Sequence, residues 1–343
     1  MKASRFVIAG AAVLAAWSVL GIAPASAAML GLSSLAGAQT LSWSRVPSPS
    51  PAINNALNGV SCVSASACTA VGSNSTGRIT SGTLIESWDG ASWSVVPSPS
   101  PDANNTLNGV SCASASACTV VGYATTASGA DETLIESWDG TSWSRVPSPS
   151  PGFFPQLASV SCVSASACTA VGSDDPGGGG GTMTLTESWD GSSWARVPSP
   201  SPVEDGQLHG VSCVSAGACM AVGYYFVSGT THHKTLIESW DGTRWARVSS
   251  PSPGNFSRLD GVSCVSMAAC VAVGDYVARS GEDMPLIVAW DGASWARVPG
   301  PSPGIGSQLD AVSCVPAGAC TAAGSRINNS RHDKTLIEAR PPA

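Results

Sequence analysis

A single repeat of about 50 residues, present six times, constrains the fold of this chain more than any other feature. In each copy a Val-Ser-Cys segment is followed, six residues after its cysteine, by a second cysteine. A fixed period of this length is typical of propellers and of other arrays whose units pack against their neighbours. The first cysteines of the six copies are Cys62, Cys112, Cys162, Cys213, Cys264 and Cys314.

Each copy is interpreted as four short strands, A to D, separated by turn residues. Asp89-Gly90 is a favoured hairpin pair because glycine accepts a positive φ, and a four-residue loop places Trp88 opposite Trp93. Four strands in each unit of this period predict an all-β fold, a six-bladed β-propeller with four antiparallel strands per blade. The strands of the first unit are predicted at 57–63, 68–73, 83–88 and 93–96.

The same hairpin register predicts a charge pair in three of the units, two residues away from the paired tryptophans. Opposite charges on directly opposed residues stabilise a sheet, so we interpret these residues as structural. The predicted pairs are Glu136 with Arg145, Glu187 with Arg196, and Glu238 with Arg247. The Pro-Ser-Pro runs that follow strand D cannot continue a central strand and are predicted to connect one blade to the next.

The two ends of the repeat are offset in a way that predicts how the ring closes. The chain begins the repeat with a lone strand D at Leu41–Val46 and ends it with a strand C at 335–340. We expect these N- and C-terminal strands to share the closing blade, which hides a sheet edge. The propeller domain is therefore predicted at 40–343, with units that start near residues 57, 107, 157, 208, 259 and 309.

The first 27 residues have the composition of an export signal. Lys2 and Arg5 precede an apolar run at 6–23, and small residues follow at 24–27. This order predicts a signal peptide at 1–27, a short linker at 28–39 and a secreted bacterial protein that is extracellular, either free or associated with the cell surface. A retained membrane anchor is the alternative interpretation of the same segment. We expect no membrane span in the mature chain, because no later apolar stretch is long enough.

The cysteines form six Cys-x5-Cys pairs, one in each unit. Zinc sites gather their thiols at one point, whereas these pairs lie in six separate units, so we expect no metal. Export favours disulfides, each across its own A–B hairpin. The second cysteines of the pairs are Cys68, Cys118, Cys168, Cys219, Cys270 and Cys320.

Charge limits the partners of this chain. Its formal net charge is −7, and charged residues make up 11% of the sequence without a basic cluster. Nucleic-acid binding depends on neutralised phosphates, so we expect no nucleic-acid partner. No motif indicates a cofactor, and we expect a monomer.

Two segments of each unit resemble the kelch repeat. Ala70-Val71-Gly72 is similar to the glycine-ended second strand of that family, and the segment from Trp88-Asp89-Gly90 to Trp93 is similar to its turn between aromatic residues. The chain differs in having one glycine where kelch repeats have two, and in the added cysteine pair. Membership of this family, which includes propellers of the galactose-oxidase type, implies a propeller and no particular activity.

Candidate binding residues lie where the units differ. In a four-stranded antiparallel blade the B–C and D–A loops share one face, and sequence variation concentrates there. One group of candidates, in and near the B–C loops, comprises Tyr224, Tyr225, His232, His233 and Tyr276. A second group follows the first leucine of strand A, near the mouth of the central channel: His209, Asp260 and Asp310. The alternatives are loops without function, and polar residues that bond local backbone.

These features favour an extracellular binding or scaffold protein that recognises a glycan, a cell-wall component or a protein through its variable loop face. No paired carboxylates, Ser-His-Asp set or metal motif can be distinguished from the residues that are repeated in every unit. We therefore predict no catalytic residue, and whether the chain is an enzyme stays open. The alternative is a secreted carbohydrate-active hydrolase or lyase with a site at the channel mouth. Such an enzyme needs several non-repeated ionisable groups close to one bound atom.

The closing strand gives a first testable prediction. Deletion of residues 40–46 should lower the melting temperature of the domain much more than deletion of residues 28–39, because only the first deletion removes a strand. Differential scanning calorimetry of the two truncated proteins measures the difference. Equal melting temperatures would contradict closure by the N-terminal strand.

Overall fold

The computed structural model describes residues 46–77, 80–177, 181–200, 205–301, 306–316, 318–328 and 330–341. The secondary structure of these residues is entirely β, with 23 strands. The strands form antiparallel sheets in chain order, five with four strands and one with three. This arrangement confirms the all-β, six-bladed propeller.

The strands follow one another from the inner to the outer edge of each blade. Blade one contains β1 (Asn54–Ser64), β2 (Ala67–Ser75), β3 (Gly82–Trp88) and β4 (Trp93–Val95). Blade two contains β5 (Asn104–Ser114), β6 (Ala117–Thr125), β7 (Asp131–Trp138) and β8 (Trp143–Arg145). Blade three contains β9 (Gln156–Ser164), β10 (Ala167–Asp174), β11 (Met183–Trp189) and β12 (Trp194–Arg196).

The remaining blades repeat this order. Blade four contains β13 (Gly206–Ser215), β14 (Ala218–Phe226), β15 (His233–Trp240) and β16 (Trp245–Val248). Blade five contains β17 (Ser257–Ser266), β18 (Ala269–Val277), β19 (Asp283–Trp290) and β20 (Trp295–Val298). Blade six contains β21 (Gly306–Cys314), β22 (Cys320–Ile327) and β23 (Asp333–Arg340).

The turn between the two outer strands has the predicted register. Trp88 lies opposite Trp93, with ring centroids 5.6 Å apart. The Asp89 carboxylate accepts hydrogen bonds of 2.8 Å from the amides of Ala91 and Ser92. Gly90 has a φ of +97°, a conformation that side chains other than glycine rarely adopt. The Asp-Gly pair therefore fixes this hairpin by its backbone geometry.

All six predicted disulfides are present, and each joins directly opposed residues of an A–B hairpin. Cys62 faces Cys68 in the ladder, with their Cα atoms 4.0 Å apart. No free cysteine occurs among the described residues. Disulfides persist in oxidising compartments, so six of them fit a protein that functions in an oxidising environment.

A β-bulge near the start of each inner strand explains the repeated single glycine of strand B. In blade one the register shifts between Leu57 and Gly59, which leaves Asn58 outside the regular pairing. Gly72 lies opposite Leu57, and a Cβ atom there would overlap the carbonyl oxygen of Ala56. The bulge thus requires glycine at this position.

The core is divided among the interfaces between neighbouring blades. Between blades one and two, Val71 and Ile85 of the first blade pack against Leu107, Leu134 and Trp143 of the second. The equivalent contact recurs between later blades, for example between Ile237 and Leu259. Burial of apolar surface at about 25 cal/mol per Å² makes these interfaces the main source of stability. At the two ends of the series the same positions are more exposed, as at Leu57 (45%) and Ile337 (48%).

Serine hydroxyls of the Pro-Ser-Pro connectors form hydrogen bonds with strand C and so attach the connectors to the sheet. The Thr83 hydroxyl lies 2.7 Å from the Ser98 hydroxyl and donates to the Pro99 carbonyl at 2.9 Å, while the Thr83 amide donates to the Ser100 hydroxyl at 3.0 Å. Proline has no amide hydrogen, so the intervening serines make the bonds that a strand backbone would make. The connectors therefore continue along strand C, as their position after strand D predicts.

The predicted glutamate–arginine pairs have the expected register but not the expected contacts. Glu187 lies opposite Arg196, yet the guanidinium reaches Asp174 at the end of β10, with an N–O distance of 3.7 Å. Similarly, Arg145 bonds Glu132 at 3.0 Å instead of Glu136. The predicted cross-strand register is therefore confirmed for all three pairs, whereas no direct ion pair joins them among the described residues. The glutamates are buried between blades, whereas the arginines keep their charged groups partly in solvent.

These buried glutamates lie in a low-dielectric environment. Both carboxylate oxygens of Glu136 and of Glu187 lack a hydrogen-bond partner among the described residues, whereas Glu238 accepts a bond of 2.8 Å from the Ser199 hydroxyl. Burial raises the pKa of Glu136 and of Glu187 to about 8, and that of Glu238 to about 7. Blade five has Val288 at the same position, opposite Arg297. Protonated, uncharged carboxyls therefore suit this place in the interface.

The predicted signal peptide, the linker and most of the predicted closing strand at Leu41–Val46 lie outside the described residues. At the other end of the propeller, Glu338 is buried, and Arg340 donates to the Gly318 carbonyl oxygen at 3.0 Å. Nothing in the part of the chain that the structure describes forms a helix able to cross a membrane.

The buried glutamates predict a loss of stability at alkaline pH. A carboxyl whose pKa is higher in the folded than in the unfolded protein stabilises the fold fully below about pH 4.5, and this contribution is lost as the pH rises through about 8. The melting temperature should therefore fall by several degrees between pH 6 and pH 9, because each kcal/mol lost from the free energy of unfolding lowers it by roughly 2–4 °C. The variant Glu136→Gln should show a smaller fall.

Glu132→Gln is the matched control, since Glu132 is partly exposed on the same strand. Its melting temperature should follow the wild-type pH dependence in calorimetry. A wild-type profile that rises from pH 6 to pH 9 would show that these carboxyls are ionised in the folded protein.

Candidate functional site

In blades one, two and four the residue at the bulge of the inner strand contacts the next blade. In blades one and two the side-chain amides of Asn58 and Asn108 donate to the carbonyl oxygens of Leu107 and Leu157, at 2.9 and 2.8 Å. Each bond links a side chain on one inner strand to the backbone of the next inner strand. In blades one and two the bulge residue therefore has a structural role.

In blades four and five the same position carries ionisable groups that contact each other. His209 Nδ1 lies 2.8 Å from Asp260 Oδ1, and the two side chains are 25% and 15% exposed. The bulges on β13 and β17 thus replace the amide–backbone bond by a pair of side chains. A carboxylate beside an imidazole nitrogen fixes the orientation of the ring.

Arg258, two residues before Asp260 on β17, connects this pair to the neighbouring strand. Its Nε lies 2.6 Å from Asp275 Oδ1 and 3.3 Å from Asp260 Oδ2. Arg258 and Asp275 are directly opposed in the ladder between β17 and β18. The guanidinium is therefore held by two carboxylates while its side chain remains 34% exposed.

Sequence reasoning missed Arg258, although the repeat carried a signal for it. The residue before the first leucine of strand A is uncharged in the other five units, and arginine occurs at this position only in unit five. Because the other five units form the same strand without a charge at this position, the charge in unit five is not needed for the fold. The uncharged equivalents are Ala56, Thr106, Gln156, Gln207 and Gln308.

Asp310, at the bulge of β21 in blade six, extends the same group of charges. Its carboxylate accepts a hydrogen bond of 3.3 Å from the Gln308 side chain. Burial and the neighbouring Asp260 raise the pKa of Asp310, while Arg258 acts in the opposite direction. The predicted residues His209, Asp260 and Asp310 therefore come from three consecutive blades to one region.

Aromatic rings cover one side of these charges. The Tyr224 ring lies 5.2 Å from the His209 ring, 4.8 Å from the His233 ring and 5.7 Å from the Phe226 ring, between centroids. Phe256 lies 5.4 Å from His233. Because side chains alternate along a strand, Tyr224 and Phe226 of β14 face the same side.

Loop contacts hold the aromatic rings in place. The His233 amide donates to the Asn255 carbonyl oxygen at 3.0 Å, which joins the start of β15 to the loop before β17. His232 lies at the rim, with its ring 5.4 Å from that of Phe256. The B–C loop of blade four and the D–A loop into blade five thus meet on the variable face.

We call this group the polar–aromatic cluster. It combines five of the predicted residues with two charged residues that sequence reasoning did not select as binding residues. Its members are His209, Tyr224, His233, Arg258, Asp260, Asp275 and Asp310.

Three of the predicted residues lie outside the cluster: His232 at its rim, and Tyr225 and Tyr276 on the opposite face. Tyr225 and Tyr276 occupy equivalent positions near the ends of β14 and β18. The Arg247 guanidinium lies 4.0 Å above the Tyr225 ring, and Arg297 donates to the Tyr276 hydroxyl at 2.6 Å. Tyr276 is 7% exposed and packs in the core of blade five. Strand alternation directs both side chains to the opposite face from Tyr224 and Asp275.

The environment of the cluster sets the protonation of its members. Burial raises the pKa of Tyr224, and burial together with the Arg258 charge lowers the pKa of His233. Burial opposes the charge on Arg258, but Asp260 and Asp275 outweigh it, so the pKa of Arg258 is raised. At neutral pH the cluster therefore offers a neutral phenol and a neutral imidazole beside a permanently charged guanidinium.

The arrangement provides hydrogen-bond donors and acceptors next to aromatic faces. Asp260 Oδ2 is buried and, apart from its ion pair with Arg258, has no hydrogen-bond partner among the described residues. Within the described ranges, no group of three or more His, Cys, Asp or Glu side chains is placed to hold a metal ion. The geometry suits recognition of a polar ligand that has an apolar face.

Comparison with known proteins identifies the fold. No family model and no curated protein matches the chain. A protein of unknown function from Dyadobacter fermentans is 10% identical, with a TM-score of 0.53, and the match covers 82% of this chain and 94% of that one. A GH74 xyloglucanase from Xanthomonas campestris is 16% identical, with a TM-score of 0.52, and is matched over 82% of this chain and 43% of its own length. At these identities the likeness concerns the fold alone.

The charge of Arg258 gives a direct test of the cluster. Replacement Arg258→Gln should raise the pKa of His233, because it removes a nearby positive charge. NMR titration of the four histidines measures this shift. Arg297→Gln is the matched control, since Arg297 contacts Tyr276 on the other face, and it should leave the pKa of His233 unchanged. An unaltered titration in Arg258→Gln would place His233 away from the guanidinium.

Proposed function

We propose that this chain is an exported binding protein that recognises a neutral glycan through the polar–aromatic cluster on its variable loop face. The observation that carries the proposal is the Tyr224 ring, 5.2 Å from the His209 ring, which in turn contacts the Asp260 carboxylate held by Arg258. A sugar presents apolar C–H groups on one face and hydroxyls around its edge. Aromatic rings stack on the apolar C–H face, and charged side chains held in a fixed orientation form hydrogen bonds with the hydroxyls.

Charge favours a neutral ligand. Three carboxylates, those of Asp260, Asp275 and Asp310, surround the single guanidinium of Arg258. An acidic sugar or a phosphate would be repelled by this excess of negative charge, which the net charge of −7 reinforces. The cluster thus selects against anionic glycans.

Further elements of the proposal rest on the sequence and on the disulfides. Export through the segment 1–27 would bring the chain to the oxidising environment in which six disulfides persist. We place the protein outside the cell, as a monomer, with a kelch-type propeller from residue 40 onward. The resemblance of Ala70-Val71-Gly72 to kelch repeats supports that assignment.

A second candidate function is hydrolysis or elimination on a carbohydrate. The observation that favours it is the His209–Asp260 contact of 2.8 Å, with Asp310 close by. A histidine oriented by a carboxylate can accept a proton, and a carboxyl with a raised pKa can donate one. These three residues are the ones we assign to such chemistry.

Binding is tested in solution by calorimetric titration with soluble neutral and acidic oligosaccharides, which offer no surface for multivalent contacts. The wild-type protein should bind neutral glycans, and Tyr224→Ala should weaken that binding roughly tenfold or more, because it removes the stacking surface. Tyr225→Ala is the matched control, a neighbouring residue that faces away from the cluster. Selective binding of acidic glycans, or equal losses in both variants, would refute the proposal.

The enzyme alternative has its own measurement. Neutral glycans that bind should be incubated with the wild-type protein and with Asp260→Asn, and the release of new reducing ends or unsaturated sugars followed. Turnover that disappears in Asp260→Asn would establish catalysis at the cluster. Binding without turnover would leave recognition as the function.

A further inference from the structure

Three cavities of the same composition lie between neighbouring blades, away from the polar–aromatic cluster. They occupy about 150 Å³ between blades one and two, 270 Å³ between blades two and three, and 150 Å³ between blades three and four. We call them the first, second and third inter-blade slots. Their residues belong to the A–B hairpins and to the outer strands, near the turns that the units share.

Each slot is lined by three tryptophans in a regular pattern. The strand C tryptophan of one blade contributes, together with the strand C and strand D tryptophans of the next blade. The first slot contains Trp88, Trp138 and Trp143; the second contains Trp138, Trp189 and Trp194; the third contains Trp189, Trp240 and Trp245.

The two kinds of tryptophan differ in what they do for the fold. The strand D rings, such as Trp143 at 8% exposure, belong to the buried core. The strand C rings are only partly buried, and the indole nitrogens of Trp88, Trp189 and Trp240 donate to backbone carbonyls, each at 3.1 Å. That bond fixes the ring orientation and leaves its face to the slot. The strand C ring, as at Trp138, therefore packs against the core and also lines the slot.

Hydroxyl groups and a disulfide complete each slot. In the first slot the Thr69 hydroxyl lies 3.7 Å from the Cys112 sulfur, and Ser87 and Ser114 also contribute to the lining. The corresponding threonines, Thr119 and Thr169, contact the next disulfide in the same way. The remaining slots carry matching sets: Thr119, Ser137 and Ser164, and Thr169, Ser188 and Ser215.

We propose that each inter-blade slot binds one neutral pyranose ring, which makes the turn face a multivalent carbohydrate-binding surface. The indole face matches the C–H face of a sugar, and the threonine and serine hydroxyls match its edge. Asp139 and Glu187 are the ionisable residues in the lining. Burial raises the pKa of Glu187, and hydrogen bonds lower the pKa of Asp139, whose negative charge would repel an anionic sugar, so the walls favour an uncharged ring. This inference does not depend on the proposed function.

Repetition gives the slots a property that a single site lacks. Successive slots share a tryptophan, since Trp138 lines the first and second and Trp189 lines the second and third. Weak individual binding then becomes tight binding to a surface that displays many sugars, because later contacts are intramolecular.

The shared tryptophans allow a sharp test by NMR of the indole N–H signals. The protein is titrated separately with the methyl glycosides of β-glucopyranose, β-galactopyranose and α-mannopyranose. At least one of them should shift the signals of Trp88 and Trp240 in a saturable manner. Trp138→Ala, which disrupts the first two slots, should abolish the Trp88 shift and preserve the Trp240 shift.

Two further variants separate this result from other effects. Trp290→Ala changes a strand C tryptophan outside the three slots and should leave both shifts intact, as should Tyr224→Ala in the polar–aromatic cluster. If Trp138→Ala fails to fold, Ser87→Val fills the first slot alone and should abolish only the Trp88 shift.

The proposal is overturned if none of the three glycosides shifts these signals, or if the Trp88 shift survives in both Trp138→Ala and Ser87→Val. Indole shifts caused by a Pro-Ser-Pro peptide, with none from the sugars, would also overturn it, because the slots would then recognise proline rings.

Discussion

The whole propeller depends on one apolar contact that recurs between neighbouring blades. The strand A leucine and strand D tryptophan of one blade pack against the valine and isoleucine of the blade before it, as Leu107 and Trp143 do on Val71 and Ile85. Each blade can bury its face only against a neighbour, so the array is stable as a series and not as single units. The disulfides and Asp-Gly turns then fix the two hairpins of each blade locally.

Because the contacts between blades and the local hairpins determine the fold, the residues at the ends of the inner strands can differ from blade to blade. The bulge after the first leucine lets a polar side chain reach the next blade, as Asn58 does, while the same bulge accepts Ala158 in blade three. His209 and Asp260 use the same geometry to meet each other, and Arg258 then gains two carboxylate partners. A binding site can therefore form on a scaffold whose core is unchanged.

The fold could be predicted from the sequence because its determinants are local and repeated: disulfide pairing, strand order and the Trp88–Trp93 pair all follow from spacing. The site was predictable only in part. The side toward which Tyr224 or Tyr225 points depends on strand alternation at a loop end, which spacing alone does not fix. The contact between Arg258 and Asp275 joins two strands whose register spacing alone does not fix. Glu187 lies opposite Arg196 as predicted, but it is buried, and the guanidinium contacts Asp174 instead.

The central claim, that the polar–aromatic cluster is the principal recognition site, is tested most directly by a crystal structure of the protein with a neutral oligosaccharide that it binds in solution. Our account predicts a sugar ring stacked on Tyr224, with a hydroxyl bonded to Asp260 or Arg258. A cluster free of sugar in crystals that contain the bound oligosaccharide elsewhere would contradict it.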